Sequence, residues 1–310
     1  MKRKEGSLLV IFAAIVANVV IMVAKYTAAI LTGSSAMLSE AVHSTVDSLD
    51  GFFLLIGKRR SRTPPDTLHP FGYGKALYFW SLIVSIFVFA AGGGISLYEG
   101  VSRLLAPQEI RDIKWNFAVL AVAFASESVS FFFALREVRS RQGARSLWQT
   151  IQVSKDPTAF TILLEDAAAL SGLVIAFAAL GVGYLYDVPS LDGVASVLIA
   201  LVLFSTAIVL ARESNALLLG ESVDPHQLAR IRAHMEVAHG VDHIDSLLTM
   251  HLGPHEVLLT AELTFAPGCA EVVTAIAELE RSLRDSFPDL TRIFIKPSAD
   301  SVVAKARSAR

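Results

Sequence analysis

The chain has 310 residues, of which 53% are hydrophobic and 18% charged, with a mean hydropathy of +0.54 and a formal net charge of -2. Soluble domains carry roughly a quarter charged residues, so this composition argues against soluble domains, a disordered chain, a coiled coil and a nucleic-acid-binding protein. Cys269 is the single cysteine, which excludes an internal disulfide and a thiolate zinc cluster. The composition therefore predicts an integral membrane protein with a modest soluble part.

Long apolar stretches dominate the first two thirds of the chain. A helix needs about 20 mostly apolar residues to cross roughly 30 Å of hydrocarbon. Six stretches meet this requirement: Leu8–Leu31, Ser35–Gly57, Ala76–Leu97, Asn116–Ala134, Phe160–Tyr184 and Leu191–Ala211. The amphipathic run Tyr98–Trp115 separates the third from the fourth. We predict an all-α six-helix transmembrane bundle over residues 1–211, followed by a connector over residues 212–223.

The distribution of Lys and Arg predicts the orientation. Basic residues collect at the amino terminus and in the second and fourth connections, whereas the first and fifth connections have none. The positive-inside rule then places both termini in the cytoplasm. The basic residues before the first apolar run resemble a signal peptide, but the run is too long and further spans follow it. With no targeting peptide predicted, we expect a bacterial inner (plasma) membrane.

The remaining residues have the pattern of a small α+β domain. Asp224-Pro225 predicts a helix start, and Gly240 its end. The other predicted elements are a strand over Ile244–Leu252, a strand over Val257–Phe265, a helix over Ala270–Phe287 and a strand over Arg292–Ile295. The predicted order over residues 224–299 is αββαβ, with a basic tail over residues 300–310. Such a domain has a small core, so dimerisation would stabilise it.

The second span carries four ionisable residues, Glu40, His43, Asp47 and Asp50. Residues three, four and seven positions apart lie on one helix face, so the spacing predicts one polar stripe. Charged groups inside a membrane are costly and need a partner or a task. Because His43 and Asp47 are one turn apart, their nitrogen and oxygen atoms can converge on one cation.

Acidic residues also interrupt the fourth and fifth spans. Glu165 and Asp166 are adjacent, so they differ by about 100° around the helix and cannot point the same way. Glu127 lies between two serines in the fourth span. Small residues follow Asp166 and allow a neighbouring helix to approach closely. The alternative interpretation is that these acids are protonated, or hydrogen-bonded between helices for structure alone.

A neutral imidazole with carboxylates suits a divalent ion such as Zn²⁺, Mn²⁺, Fe²⁺ or Co²⁺. The same groups bind protons when the metal leaves, since metal binding requires deprotonated ligands. We therefore hypothesise an exchange of metal for protons across the membrane. The pattern predicts no organic cofactor and no nucleic-acid partner.

Three motifs carry a resemblance to a known family. Residues 34–47 resemble the second-span signature of the cation diffusion facilitators, His69–Lys75 resembles their loop before the third span, and Glu99–Arg103 resembles the end of that span. Residues 155–158 and 163–172 are similar to the zinc transporter 9 branch. The resemblance implies a homodimer with alternating access, a metallochaperone-like tail, and metal bound between spans two and five in exchange for protons.

The resemblance also implies which residues bind metal. His43, Asp47 and Asp166 match the family's ligand positions, but the fourth position falls on Ile162. Glu165, Glu127 or water would then complete the site, with Glu40 and Asp50 as further ligands or proton acceptors.

Two further expectations concern the parts outside the spans. Lys75 matches a basic residue that forms a dimer charge pair in some relatives, and Glu221 lies beside the acidic partner's position. Relatives with a metal site on the last strand carry His and Asp there, where this chain has Ile293–Pro297. His251 and His255 remain candidate cytoplasmic ligands across the predicted hairpin. His69 is expected to have a structural role in a turn rather than in metal capture.

Three functions compete at this point. A membrane enzyme is disfavoured because the chain lacks a His-Glu-x-x-His helix, a nucleophile elbow and a phosphate-binding glycine loop. A channel or sensor that binds metal without coupled transport remains an alternative, as does an exporter selective for Mn²⁺ or Fe²⁺. We predict a proton-coupled efflux transporter for divalent cations, with Zn²⁺ favoured.

Overall fold

The computed structural model describes residues 18–108, 112–140, 146–147, 149–150, 155–266 and 272–298. Its main elements are α1 Asn18–Thr32, α2 Ser35–Ser61, α3 Ala76–Leu105, α4 Ile113–Ser140, α5 Pro157–Tyr186, α6 Ser190–Leu219, α7 Pro225–Glu236, β1 Val241–Gly253, β2 Glu256–Phe265, α8 Val272–Ser286 and β3 Leu290–Pro297. These elements belong to two compact units, a helical unit (residues up to Gly57, and Phe79–Ser214) and a carboxy-terminal unit (Lys58–Tyr78, and Asn215 onwards).

Four helices are long and apolar enough to cross a membrane by length and composition. They are Ala76–Leu105, Ile113–Ser140, Phe160–Tyr186 and Ser190–Leu219. The described part of α1 is a shorter apolar helix, and its predicted start at Leu8 lies outside the described residues. Helix α2 is continuous over 27 residues, but its polar stripe lowers its hydropathy. A helical membrane domain followed by a small sheet domain is confirmed, while the count of six spans stays a prediction.

Helices α2 to α6 all extend beyond their predicted ends, and α3 and α6 extend the furthest at their carboxy-terminal ends. Helix α3 continues to Leu105 and includes a π-helical segment, Val88–Gly93, so the first part of the amphipathic run belongs to this helix. Helix α6 continues to Leu219, so most of the predicted connector over residues 212–223 is helical. Hydropathy detects the apolar part of a helix, whereas backbone hydrogen bonding continues through the polar residues beyond it. Helix α6 ends before Gly220, whose φ of +109° favours glycine.

Helices α3 and α6 approach closely through two glycines. A Cβ atom on Gly100 would lie 2.8 Å from the backbone nitrogen of Val197 and 3.0 Å from the carbonyl oxygen of Gly193. A Cβ on Gly193 would likewise lie 3.0 Å from the carbonyl oxygen of Gly100. Small residues at a crossing point let two backbones come into contact within a membrane. These glycines therefore fix the distance between the two helices.

A carboxylate from α6 caps the amino-terminal end of α2. Oδ2 of Asp192 accepts hydrogen bonds from Ser35 N at 2.5 Å and Ser35 Oγ at 2.8 Å, and Oδ1 accepts them from Ser34 Oγ at 2.6 Å and Ala36 N at 3.3 Å. Arg103 of α3 places Nε 3.9 Å from Oδ2 of Asp192 and donates from Nη2 to the carbonyl of Gly33. The free N–H groups at a helix start need acceptors and favour a negative charge, which Asp192 supplies.

The carboxy-terminal unit contains a three-stranded sheet in the order β1-β2-β3. Strands β1 and β2 are antiparallel, with Leu247 opposite Ala261, and β2 and β3 are parallel, with Ala261 opposite Ile295. Apolar side chains from the two helices and the sheet form one core; its most buried members are Ile231, Met235, Val257, Leu259, Leu263 and Leu283. Alternate residues of β2 are buried, as expected for a sheet with one face covered.

The elements of this unit differ from the predicted ones mainly at their ends. Helix α7 ends at Glu236 rather than at Gly240, which lies in the following turn with a φ of +79°. Strand β1 has 13 residues and β3 has 8, so both are longer than predicted, because pairing with β2 extends them. The predicted helix start at Ala270 and the basic tail over residues 300–310 lie outside the described residues.

Candidate metal site

The polar stripe of α2 lies inside the helical unit. Glu40 and Asp50 have no exposed surface, and the side chain of His43 is 1% exposed. The side chain of Asp47 is 28% exposed, so it is the most accessible of the four. The helical spacing thus directs all four ionisable groups inwards. Burial of this kind is costly unless each group finds a partner.

His43 and Asp47 form a loose pair one turn apart. Nδ1 of His43 lies 3.5 Å from Oδ1 of Asp47, which is too long for a strong hydrogen bond. The two ring nitrogens of His43 and Oδ1 of Asp47 are buried. Among the described residues, none of these three atoms has a hydrogen-bond partner. Native structures rarely leave buried polar atoms unsatisfied. These atoms are therefore available to a cation.

The two adjacent acids of α5 point to different partners. Oδ2 of Asp166 accepts a 2.8 Å hydrogen bond from Ser130 Oγ of α4. Glu165 instead interacts electrostatically with Asp50 of α2. Both oxygens of Asp50 and Oε1 of Glu165 are buried without a donor from the rest of the described chain. A proton or a cation shared between the two carboxylates would satisfy them.

The predicted ligands do not form a closed cage in this arrangement. In the part of the chain that the structure describes, no group of three or more His, Cys, Asp and Glu side chains is placed to hold a metal ion. The charged groups that face Asp47 include Glu127, Asp166 and Glu40. A joint site for His43, Asp47 and Asp166 therefore requires α2 and α5 side chains to come closer together, and the ligand set stays a prediction.

Glu127 and Ile162, two further positions considered for the metal site, differ in what they can offer a metal ion. Glu127 of α4 is half-buried and faces both His43 and Asp47. Ile162, at the position that the resemblance predicts for the fourth ligand, is 40% exposed and has no atom that could bind a metal. Glu127 is thus a carboxylate from a neighbouring helix that acts electrostatically on both residues of the α2 pair.

Lys25 is a site residue that the sequence analysis missed. Its side chain has no exposed surface, and Nζ donates to Oε2 of Glu40 at 3.2 Å and to Oγ of Ser44 at 2.8 Å. The sequence does contain an indication of this role: Lys25 is a lone lysine in the apolar run of residues 8–31, and a charge inside a span needs a partner. Glu40 therefore differs from the other acids of the stripe in having a permanent counter-ion.

Gly172 brings α5 against this pair. A Cβ atom on Gly172 would overlap Oε1 of Glu40 and lie 3.4 Å from its Cδ. The absence of a side chain at Gly172 therefore makes room for the Glu40 carboxylate. The small residues predicted to allow close approach of the fifth span do so at this position.

In the carboxy-terminal unit, the loop before α3 is ordered by one carboxylate. Asp66 accepts hydrogen bonds from Leu68 N at 3.0 Å, His69 N at 2.6 Å and Tyr73 OH at 2.7 Å. The hydrogen bond from the Tyr73 hydroxyl, with help from the backbone, holds the pKa of Asp66 below its usual range. The His69 ring lies against the Tyr73 ring, with 4.1 Å between the centroids and 35° between the ring planes. This geometry favours the structural role that was expected for His69.

Lys75 and Glu221 lie in the same region of that unit. Nζ of Lys75 is 3.9 Å from Sδ of Met250 and lies beside Gly220, the residue before Glu221. The carbonyl of Glu221 accepts a 2.9 Å hydrogen bond from the backbone nitrogen of His251. A charge pair between Lys75 and Glu221 in a dimer stays a prediction.

The two candidate histidines of the hairpin have different environments. His251 is 5% exposed, and its Nδ1 lies 3.4 Å from the carbonyl oxygen of Gly253. The His255 side chain is 82% exposed, with Nδ1 3.7 Å from Oδ1 of Asp289. The two rings thus have different neighbours, and a shared cytoplasmic metal site stays a prediction.

Comparison with known proteins gives the family. A family profile described as the cation efflux transmembrane domain matches residues 11–219. The chain is 34% identical over 243 residues to the mitochondrial proton-coupled zinc antiporter SLC30A9 of Homo sapiens, which covers 78% of this chain and 43% of the relative. It is 28% identical to metal tolerance protein C4 of Arabidopsis thaliana, over 76% of this chain and 52% of the relative.

A bacterial relative covers more of both chains. The manganese efflux system protein MneP of Bacillus subtilis is 23% identical over 299 residues, which is 95% of this chain and 96% of the relative. By contrast, the chain spans less than half the length of the SLC30A9 relatives. The matched profile, the second-span motif and the apolar helices agree. The chain is an integral membrane protein of the cation diffusion facilitator family, in its zinc transporter 9-like branch.

Proposed function

We propose that this protein exports divalent metal cations, with Zn²⁺ favoured, in exchange for protons. The observation that carries the proposal is the pair formed by the buried His43 and the partly exposed Asp47. The His43 nitrogens have no partner among the described residues, and the pair faces the carboxylates of Glu127 and Asp166. Nitrogen and oxygen atoms with free lone pairs, held on neighbouring membrane helices, suit a visiting dication.

The proposed ligands have distinct tasks. Asp47 of α2 and Asp166 of α5 neutralise the two charges of the metal from opposite helices, and His43 supplies the nitrogen ligand. Glu165 or Glu127 completes the coordination, since Ile162 cannot. Asp166 is already oriented by Ser130. Closure of α5 on α2 would bring these atoms within the roughly 2 Å that zinc coordination requires.

The donor set limits the choice of metal without fixing it. One imidazole with carboxylates binds Zn²⁺ well, and it also accepts Mn²⁺, Fe²⁺ and Co²⁺. The names of the relatives include both zinc and manganese, since SLC30A9 is named a zinc antiporter and MneP a manganese efflux protein. We favour Zn²⁺ because of the nitrogen ligand, and an exporter selective for Mn²⁺ or Fe²⁺ is the alternative.

Proton exchange follows from the same atoms. A ligand must lose its proton before metal binds, and an unoccupied group of clustered carboxylates takes protons up again. His43 and the facing carboxylates would alternate between a metal-bound and a protonated state. If the two states open to opposite sides of the membrane, metal leaves as protons enter. The name of SLC30A9 as a proton-coupled antiporter supports this proposal.

The proposed assembly is a homodimer of six-span protomers with both termini in the cytoplasm. The family resemblance supports the dimer and alternating access, and the distribution of Lys and Arg supports the orientation. The sequence favours a bacterial inner membrane, whereas the SLC30A9 relatives are mitochondrial by name. Lys75 with Glu221 is the proposed dimer charge pair.

A flux panel in liposomes tests the function. The purified protein is reconstituted with a pH dye inside, and Zn²⁺, Mn²⁺, Fe²⁺ and Co²⁺ are added in turn across an imposed pH gradient. We expect Zn²⁺ movement accompanied by proton counterflow that stops when an ionophore dissipates the gradient. Metal flux indifferent to the gradient would instead identify a channel, and metal binding without flux would identify a sensor.

A further inference from the structure

We infer that Lys25 is a tethered counter-ion that withholds Glu40 from the transported metal and thereby sets metal affinity and selectivity. Lys25 belongs to α1 and Glu40 to α2, and both side chains are fully buried. Nζ donates to Oε2 of Glu40 at 3.2 Å and to Oγ of Ser44 at 2.8 Å. The inference rests on the proposed function and names a determinant of its metal site.

The pair lies directly beside the proposed ligands. Glu40 precedes His43 by three positions on the same face of α2, and both Glu40 and Lys25 act electrostatically on His43 and Asp47. Without the ammonium group, Glu40 would add one more carboxylate to a stripe that already contains Asp47 and Asp50. Lys25 thus supplies one fixed positive charge next to a site for a double positive charge.

One oxygen of Glu40 remains available beside this contact. Oε2 is the atom bonded to Lys25, whereas Oε1 is buried against Gly172 and has no hydrogen-bond partner in the described chain. A metal that recruited Glu40 would have to displace the lysine ammonium or approach a charge-neutral pair. Both are less favourable than binding to a free carboxylate. The ammonium therefore weakens metal binding, which favours release during transport.

The pair also affects which metal is preferred. Mn²⁺ prefers carboxylate oxygens more strongly, relative to imidazole, than Zn²⁺ does. Because Lys25 neutralises Glu40, fewer carboxylates are available to the metal, and the nitrogen of His43 is a larger fraction of the available ligands. Releasing Glu40 from Lys25 would add an oxygen ligand and shift the balance towards Mn²⁺.

A charge series tests the inference by the sign of each effect. Lys25→Met, Glu40→Gln and the double variant are purified, and dissociation constants for Zn²⁺ and Mn²⁺ are measured by calorimetry. At an effective dielectric constant of about 20, one charge within about 10 Å of a dication changes its affinity by at least about tenfold. Lys25→Met should bind at least about tenfold tighter, with the larger gain for Mn²⁺, and Glu40→Gln at least about tenfold weaker. The double variant should return to within about threefold of the original protein.

Removal of one partner from a buried ion pair also destabilises the fold. A second comparison therefore uses two variants that both lack the pair. Glu40→Gln and the double variant differ only at Lys25, and the double variant should bind the tighter of the two. Lys58→Met, at the exposed cytoplasmic-side end of α2, is the control and should change nothing. If the single variants shift the dissociation constants in the same direction, or if none of the variants changes them although the protein binds metal, the inference about Lys25 is wrong while the proposed function stands. Absence of any metal binding or flux by the unmodified protein would overturn the proposed function as well.

Discussion

Ser130 of α4 donates a 2.8 Å hydrogen bond to Oδ2 of Asp166 in α5. The bond joins two helices that pack against each other and orients the proposed α5 ligand. Oδ1 of Asp166 is not part of this contact. Ser130 is therefore a positioning residue, and Asp166 carries the charge.

Replacement of Ser130 by Ala should weaken Zn²⁺ binding about fivefold without abolishing transport. A typical net hydrogen bond contributes about 0.5–1.5 kcal/mol, and the carboxylate itself remains. Calorimetry on the purified protein measures the change. Ser128→Ala, two positions away on the same helix, should leave the affinity unchanged, and an equal loss in both variants would argue against a specific role for Ser130.

Replacement of Asp47 by Asn should abolish metal transport while the protein stays folded and keeps the oligomeric state of the unmodified protein. The substitution removes one formal charge with little change in volume, so only the electrostatic contribution to the dication is lost. Liposome flux measures transport, and gel filtration with thermal melting measures integrity. Full activity of this variant would remove Asp47 from the site.

Replacement of Gly172 by Ala should destabilise the protein because the new methyl group overlaps Oε1 of Glu40. Forced overpacking of this kind costs about 1–3 kcal/mol. Gly181→Ala is a matched control on the same helix, since a Cβ there has its nearest atom, in Phe117, at 4.0 Å. The melting temperature of the Gly172 variant should fall below that of the control variant; an equal melting temperature would show that α5 can shift without cost.

Replacement of Tyr73 by Phe should raise the pKa of Asp66 towards the usual range, because the phenol is the main donor that stabilises the carboxylate. In the folded protein this pKa lies below its ordinary value, so the turn is stabilised above the ordinary pKa. That stabilisation is lost as pH falls through the folded-state pKa. Carbon NMR of labelled aspartate, assigned with Asp66→Asn, measures the shift, and Tyr98→Phe outside the turn should not change it.

Periodicity was sufficient to predict which residues of α2 point inwards. Glu40, His43, Asp47 and Asp50 repeat at helical spacing, and the structure places the ionisable groups of all four within the helical unit. The same geometry correctly separates Glu165 from Asp166, since adjacent residues cannot share a direction. Local spacing within one helix is thus readable from sequence.

Distances between helices are not readable in the same way. The contacts of Lys25 with Glu40 and of Ser130 with Asp166 depend on how helices pack. Likewise, apolar windows end at Leu97 and Ala211 where the helices continue to Leu105 and Leu219. Hydropathy reports contact with lipid, whereas helix length depends on backbone hydrogen bonds and on where a glycine or proline ends them.

The capping of α2 by Asp192 has a consequence for the proposed transport cycle. Four hydrogen bonds tie the first turn of α2 to α6, and Arg103 of α3 holds the same carboxylate. Sliding α2 past α6 would leave helix-terminal N–H groups without acceptors, at a cost of several unmade bonds. At this end, α2, α3 and α6 should therefore move together. If the protein transports metal as proposed, α5 is then the helix expected to move towards His43 with its acidic residues.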